Sequence, residues 1–188
     1  MKKLLLCAVL CLLMTGAAFA QKQKESYIGV EAGLFIPSES KLDSGFDIGV
    51  KFIHYFTENI GVNGILSYRS FGADYEEGPY KWEVDWTTIS LAGGVSGRYS
   101  LNKSFDLVGD AGIAYHMNTG EMTGTLYGVS ISDDDKQNKL GFYLDAGANF
   151  RVTPDVAVGG LIRYTTNEAY TDYELGGISI LLTVGYLF

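Results

Sequence analysis

Apolar and polar positions alternate with a period of two along nearly the whole chain. Counting backward from the end, every second residue is large and apolar: Phe188, Tyr186, Val184, Leu182, Ile180 and Ile178. The interleaved set, Leu187, Gly185, Thr183, Leu181, Ser179 and Gly177, is smaller and mixed. Because successive strand residues point to opposite faces, this pattern predicts a strand with one apolar face. Similar segments fall near 27–36, 45–56, 60–71, 86–101, 105–117, 139–152, 155–166 and 176–188, about eight strands. None shows a sustained helical period, and the connections "TEN", "NKS" and "TPD" are too short for crossover helices, so neighbouring strands are expected to be antiparallel.

The connections alternate in length. Tight turns near 57, 102 and 153 contrast with longer polar stretches at 37–44, 72–85, 118–138 and 167–175, which are read as loops. Short turns at one end and long loops at the other characterise membrane-spanning barrels, and an even strand number puts both termini at the turn end.

The two faces differ in chemistry. One collects residues such as Val30, Leu34, Ile48, Val50, Leu66, Leu91, Ile113, Phe142, Leu144 and Ile162, and contains no charged residue. The other carries Glu31, Asp47, Lys51, Arg69, Arg98, Asp110, Asp145 and Arg163 among glycines and serines. An isolated ion in a low-dielectric interior costs several kcal/mol, so the balanced signs on this face call for pairing. Counting positions from the turn end predicts three cross-strand pairs in the lumen: Glu31 with Lys51, Arg98 with Asp110, and Asp145 with Arg163. They are expected to fill and neutralise the interior.

A soluble ligand-binding barrel would reverse the faces. Against it stand the many glycines and few lysines on the polar face, and the small interior of an eight-stranded barrel, which has little room for so bulky a lining. Aromatic residues also fall into two groups, as the two interfaces of a membrane demand. Tyr55, Phe56, Tyr99, Phe105, Phe150, Tyr186 and Phe188 lie toward the turn end, and Phe46, Tyr68, Trp86, Tyr115, Phe142 and Tyr164 toward the loop end.

Composition and termini supply the compartment. "MKKLLLCAVLCLLMTGAAFA" has a basic start, an apolar centre and small residues flanking Phe19, which predicts a secretory signal peptide over 1–20 cleaved after Ala20. Residues 21–188 then form one domain. Both cysteines, Cys7 and Cys11, fall inside the leader, which leaves the mature chain no thiol chemistry. Losing Lys2 and Lys3 moves the formal charge from -8 to -10, a balance that does not favour nucleic acid.

The leader ending "AFA", the alternating strands and the closing "ILLTVGYLF" together resemble the small outer-membrane β-barrels of Gram-negative bacteria, the OmpA/OmpX-like outer-membrane protein β-barrel superfamily. The resemblance covers the whole mature chain. It implies a closed antiparallel up-and-down transmembrane β-barrel in the outer membrane, in contact with outer-membrane lipid and lipopolysaccharide. It also implies that Phe188, Tyr186, Val184 and Leu182 are read by the barrel-assembly machinery.

Candidate chemistry changes this picture little. His54 and His116 lie near opposite ends of their strands and lack convergent partners. His116 with Ser130 or Ser132 could imitate the histidine and serine of a lipid-modifying barrel enzyme, but no motif supports the pairing. Asp133, Asp134 and Asp135 lack the alternating ligands and turning glycine of a calcium loop and read as a solvated acidic run. The expectation is therefore no enzyme, no cofactor and no metal. The four loops carry 14 acidic residues against Lys41, Lys81 and Lys136, with tyrosines that suit a protein or glycan partner. Taken together, the chain reads as a monomeric structural or interaction barrel that presents acidic loops outside the cell, its lumen plugged by paired charges. The alternative is a narrow channel for small solutes or ions.

Overall fold

In the computed structural model, which describes residues 25–77, 80–126, 129–168 and 174–188, eight antiparallel strands close into a single up-and-down barrel. In chain order they are β1 (Glu25–Pro37), β2 (Gly45–Tyr55), β3 (Ile60–Glu77), β4 (Tyr80–Ser100), β5 (Phe105–Leu126), β6 (Val129–Arg151), β7 (Val156–Thr165) and β8 (Gly177–Leu187). The leader over 1–20 lies outside the described residues.

Closure is made by the last strand on the first. β8 pairs with β1 from Tyr27↔Leu187 to Pro37↔Gly177. The seam ends in two backbone hydrogen bonds, Ser26 N–H to the Phe188 carbonyl at 2.7 Å and Phe188 N–H to the Ser26 carbonyl at 2.9 Å. Phe188 is thus part of the seam, and the closed wall leaves no edge within the barrel proper.

Alternation sorts the residues by face. Leu182 is 75% exposed on the outer surface, whereas its neighbour Leu181 is 1% exposed inside. The outer wall is a continuous apolar band that includes Val30, Leu34, Val50, Leu66, Leu91, Ile113, Leu140 and Ile180. All eight charged residues assigned to the inner face by alternation point inward, seven of them fully buried and Arg98 partly so.

The tight turns form where side chains can replace the missing ladder. The Thr57 hydroxyl accepts from the Ile60 N–H at 2.9 Å, the Asn102 side chain from the Ser104 N–H at 2.9 Å, and the Thr153 hydroxyl from the Val156 N–H at 3.0 Å. Such local side-chain bonds are why Thr and Asn favour turns.

Two of the expected loops are strand. The stretch 72–85 continues the β3–β4 ladder through Gly72↔Asp85 and Asp74↔Glu83 to Glu77↔Tyr80. The stretch 118–138 continues β5–β6 from Asn118↔Gln137 to Leu126↔Val129. Polar composition marks where strands leave the apolar layer, while pairing persists because the backbone still gains its ladder bonds. As a result, β3 to β6 rise beyond the barrel as a four-stranded sheet.

Two aromatics expected at the interfaces turn inward. Tyr55 is 3% exposed and Trp86 is 9% exposed. Each stands on the inner phase of its strand, a parity that counting along the chain by height alone overlooks. Tyr99, Phe150, Tyr186 and Phe188 remain on the outer wall near the turns, and Phe46, Tyr68, Tyr115, Phe142 and Tyr164 near the other rim.

Candidate functional site

The lumen is filled in layers. At the turn end, Glu25 pairs with Arg98, and Arg151 reaches both Glu25, at 3.3 Å, and Asp106, at 3.2 Å. Above them lies an apolar girdle of Tyr27, Ile53, Tyr55, Ala157 and Leu187. The Arg98 guanidinium sits 4.3 Å from the centre of the Tyr55 ring, a cation–π contact that joins the two layers.

The central layer is a network around one amine. Lys51 Nζ donates to Asp110 at 2.5 Å and to Asp145 at 3.0 Å, and stands 3.6 Å from Glu31. Arg163 grips Asp145 with its Nε at 2.9 Å and Nη2 at 2.8 Å, and Nη2 also reaches Glu31 at 2.7 Å. Ser96 donates to Asp110, Asn63 donates to Asp110 at 3.2 Å, and the Tyr143 hydroxyl donates to Asn63 at 2.5 Å. Gly94 and Gly112 make room for that tyrosine, since a Cβ at Gly112 would stand 2.7 Å from its ring.

The next layer holds Arg69, which donates through Nε to Asp47 at 2.9 Å and through Nη2 to Thr165 at 2.9 Å; Ser179 also donates to Asp47, at 2.6 Å. Here Ser90 and His116 Nδ1 lie 2.7 Å apart. Farther up, Asn118 and Asn167 exchange amide hydrogen bonds of 3.2 and 2.8 Å. An apolar cap of Phe35, Leu42, Phe71, Ala73, Trp86 and Leu175 closes the column, with the Phe35 ring centre 5.0 Å from the Arg69 guanidinium.

The expected pairs map onto this column unevenly. Asp145 and Arg163 are direct cross-strand partners in the β6–β7 register. Glu31 and Lys51 meet, but Lys51 lies nearer to Asp110 and Asp145 than to Glu31. Arg98 and Asp110 do not pair. Arg98 faces Val108 across the β4–β5 ladder, while Asp110 faces Ser96, so the arginine stands two residues closer to the turn and takes Glu25 instead. Counting heights on neighbouring strands ignores the stagger that barrel closure imposes. Arg69 with Asp47 and the Tyr143–Asn63 link were legible only as inward positions, because their partners depend on register.

The histidines stay apart. His54 Nδ1 lies 3.0 Å from the Ser26 hydroxyl at the turn end, whereas His116 is buried beside Ser90. The side chains of Ser130, Ser132, Asp133 and Asp134 lie outside the described residues, as do Tyr127, Tyr170, Asp172 and Tyr173; Asp135 is exposed and accepts from Gln137 at 3.3 Å. The inner charges bind one another, as buried ions must, although Glu31 Oε1, Asp47 Oδ1, Arg69 Nη1 and Arg163 Nη1 are left without a hydrogen-bond partner.

Solved structures share this architecture. Ail, the attachment invasion locus protein of Yersinia pestis, in complex with the heparin analogue sucrose octasulfate, is 21% identical over 88% of this chain and 99% of its own, with a TM-score of 0.55. A major outer membrane protein from Thermus thermophilus is 14% identical over 88% of this chain and 99% of its own, with a TM-score of 0.58. No curated protein matches the sequence. The apolar outer wall, the charged lumen and the seam made by the C-terminal strand agree with a family model that matches residues 5–188, and the chain belongs to the outer membrane protein beta-barrel domain family.

Proposed function

We propose that this outer-membrane barrel is a closed scaffold that presents the β3–β6 sheet outside the cell to a protein partner. The observation that carries this reading is an open edge. The β6–β7 ladder stops at Tyr143↔Thr165, so among the described residues the outer edge of β6 from 129 to 141 has no strand partner. An unpaired edge offers a row of N–H and C=O groups to an extended segment of another chain.

Charge selects the partner. The segment "VSISDDDKQNKLG" and the neighbouring acidic rim favour a strand with lysine or arginine side chains and repel polyanions. A sulfated sugar such as the one held by the Yersinia pestis neighbour suits this surface poorly. Divalent cations bridging the rim to lipopolysaccharide are compatible with the same charge. On this reading the leader over 1–20 is removed on export, Leu182, Val184, Tyr186 and Phe188 form the segment read by the barrel-assembly machinery, and the barrel acts as a monomer without catalysis. The stacked apolar girdle, ion network and apolar cap argue against the alternative of a narrow channel.

The test uses the mature protein in lipid nanodiscs with two probes, a lysine-alternating strand peptide and a sulfated oligosaccharide. Binding of the peptide, lost when Asn138, which shares with Phe142 the backbone phase that points away from β5, is replaced by proline, is the expected result. Binding of the oligosaccharide alone would refute the proposal.

A further inference from the structure

Along the open edge of β6, charge runs in a fixed order. Leu140 and Phe142 lie on the apolar outer wall at the rim of the barrel. Above them the strand carries Lys139, then Lys136, then Asp135, all three exposed. The sequence continues with Asp134 and Asp133 toward the hairpin at Leu126↔Val129. Neither lysine forms an ion pair among the described residues.

The side of β6 that is already paired does not answer these charges. Across the β5–β6 ladder Lys139 faces His116, Lys136 faces Thr119 and Asp135 faces Gly120. On the other side the ladder to β7 stops at Tyr143↔Thr165, and the Thr166 N–H closes it on the Phe142 carbonyl at 3.0 Å. Backbone groups alternate between the two sides of a strand, so Leu140, Asn138 and Lys136 share the outward phase of Phe142. Side chains directly opposite one another in an antiparallel pair stand about 4.5–5.5 Å apart, close enough for opposite charges to attract and like charges to repel.

We propose that this edge reads the order of charges in the strand it binds: the partner is acidic at the end nearest the membrane and basic at the end nearest the tip of the sheet. The inference rests on the open-edge reading above and adds the partner's chemistry to it. A strand that prolongs β7 runs antiparallel to β6, so its first residues lie at the rim. It answers every charge if it begins with an apolar residue beside Leu140, sets carboxylates opposite Lys139 and Lys136, and continues with lysines from Asp135 onward. A strand with lysine at all these places is attracted at Asp135 and repelled at both lysines.

The experiment measures the binding of two synthetic strands to the mature protein in lipid nanodiscs. The first carries glutamate in the half that meets Lys139 and Lys136 and lysine in the other half; the second differs only in having lysine in place of the glutamates. Recognition of net charge alone would favour the second, because the rim is acidic. The charge order predicts the reverse, by about tenfold. Lys136→Glu combined with Lys139→Glu should invert the ranking, with boiling-sensitive gel mobility as the check that this variant is folded. A nitroxide on the glutamate end of the first strand should broaden the amide resonances of Leu140 and Phe142, and one on the lysine end should not. Equal affinities, tighter binding of the all-lysine strand, or broadening from the lysine end would overturn the charge order while the open edge stands. Binding of neither strand would overturn both.

Discussion

Arg163 shows most directly what a single residue does here. Its guanidinium neutralises Asp145 and Glu31, and both carboxylates are buried. Arg163→Met would leave Glu31, Asp110 and Asp145 sharing one Lys51, and removing one partner from a buried pair typically costs about 3–5 kcal/mol. The loss should appear as a lower urea midpoint of the refolded barrel in micelles. Arg163→Met combined with Asp145→Leu should lose less, because one charge of each sign is removed and the net charge of the network stays the same. That these residues point inward was legible from period-two alternation alone. The partner each takes is less legible: height along neighbouring strands pairs Arg98 with Asp110, whereas in the barrel Arg98 takes Glu25 at the turn end and Asp145 faces Arg163. Alternation encodes the face, but the stagger between strands is set by closure of the whole barrel. Lys51 adds a second reason, since its long flexible stem lets it choose among three acids on different strands.

At the scale of elements, β8 is the piece on which closure depends. It bonds β1 on one side and β7 on the other, and the rungs Ile28↔Tyr186 and Val156↔Tyr186 meet at one residue. Deleting the final "YLF" removes those rungs together with the Ser26–Phe188 bonds. The truncated protein should lose the boiling-sensitive gel mobility that the closed barrel is expected to show; unchanged mobility in both forms would mean that the seam does not depend on these residues. The eight strands and the three tight turns could be located from pattern and turn chemistry. The two long hairpins could not, because past the apolar layer neither face of a strand has to be hydrophobic, and the period-two signal fades while the backbone ladder goes on through Glu77↔Tyr80 and Leu126↔Val129.

For the whole molecule, the outer wall and the lumen exchange the usual roles of surface and core. Large apolar side chains such as Leu140 and Leu182 point outward, and arginine, lysine and aspartate occupy the middle. That inversion is stable in hydrocarbon, where every backbone group is satisfied by a closed ladder and the apolar face has lipid as its solvent. The Tyr27–Tyr55 girdle, the Lys51 and Arg163 network and the Trp86 cap stack along the interior, and the proposed closed scaffold rests on their filling it. The single-channel conductance of the mature protein in planar bilayers tests this account most directly, with Lys51→Met/Glu31→Leu as the companion in which the central network is weakened. The account predicts no sustained conductance in either protein. A stable open level in the unmodified protein, or a large rise in the double variant, would contradict the closed scaffold and make the network the gate of a pore.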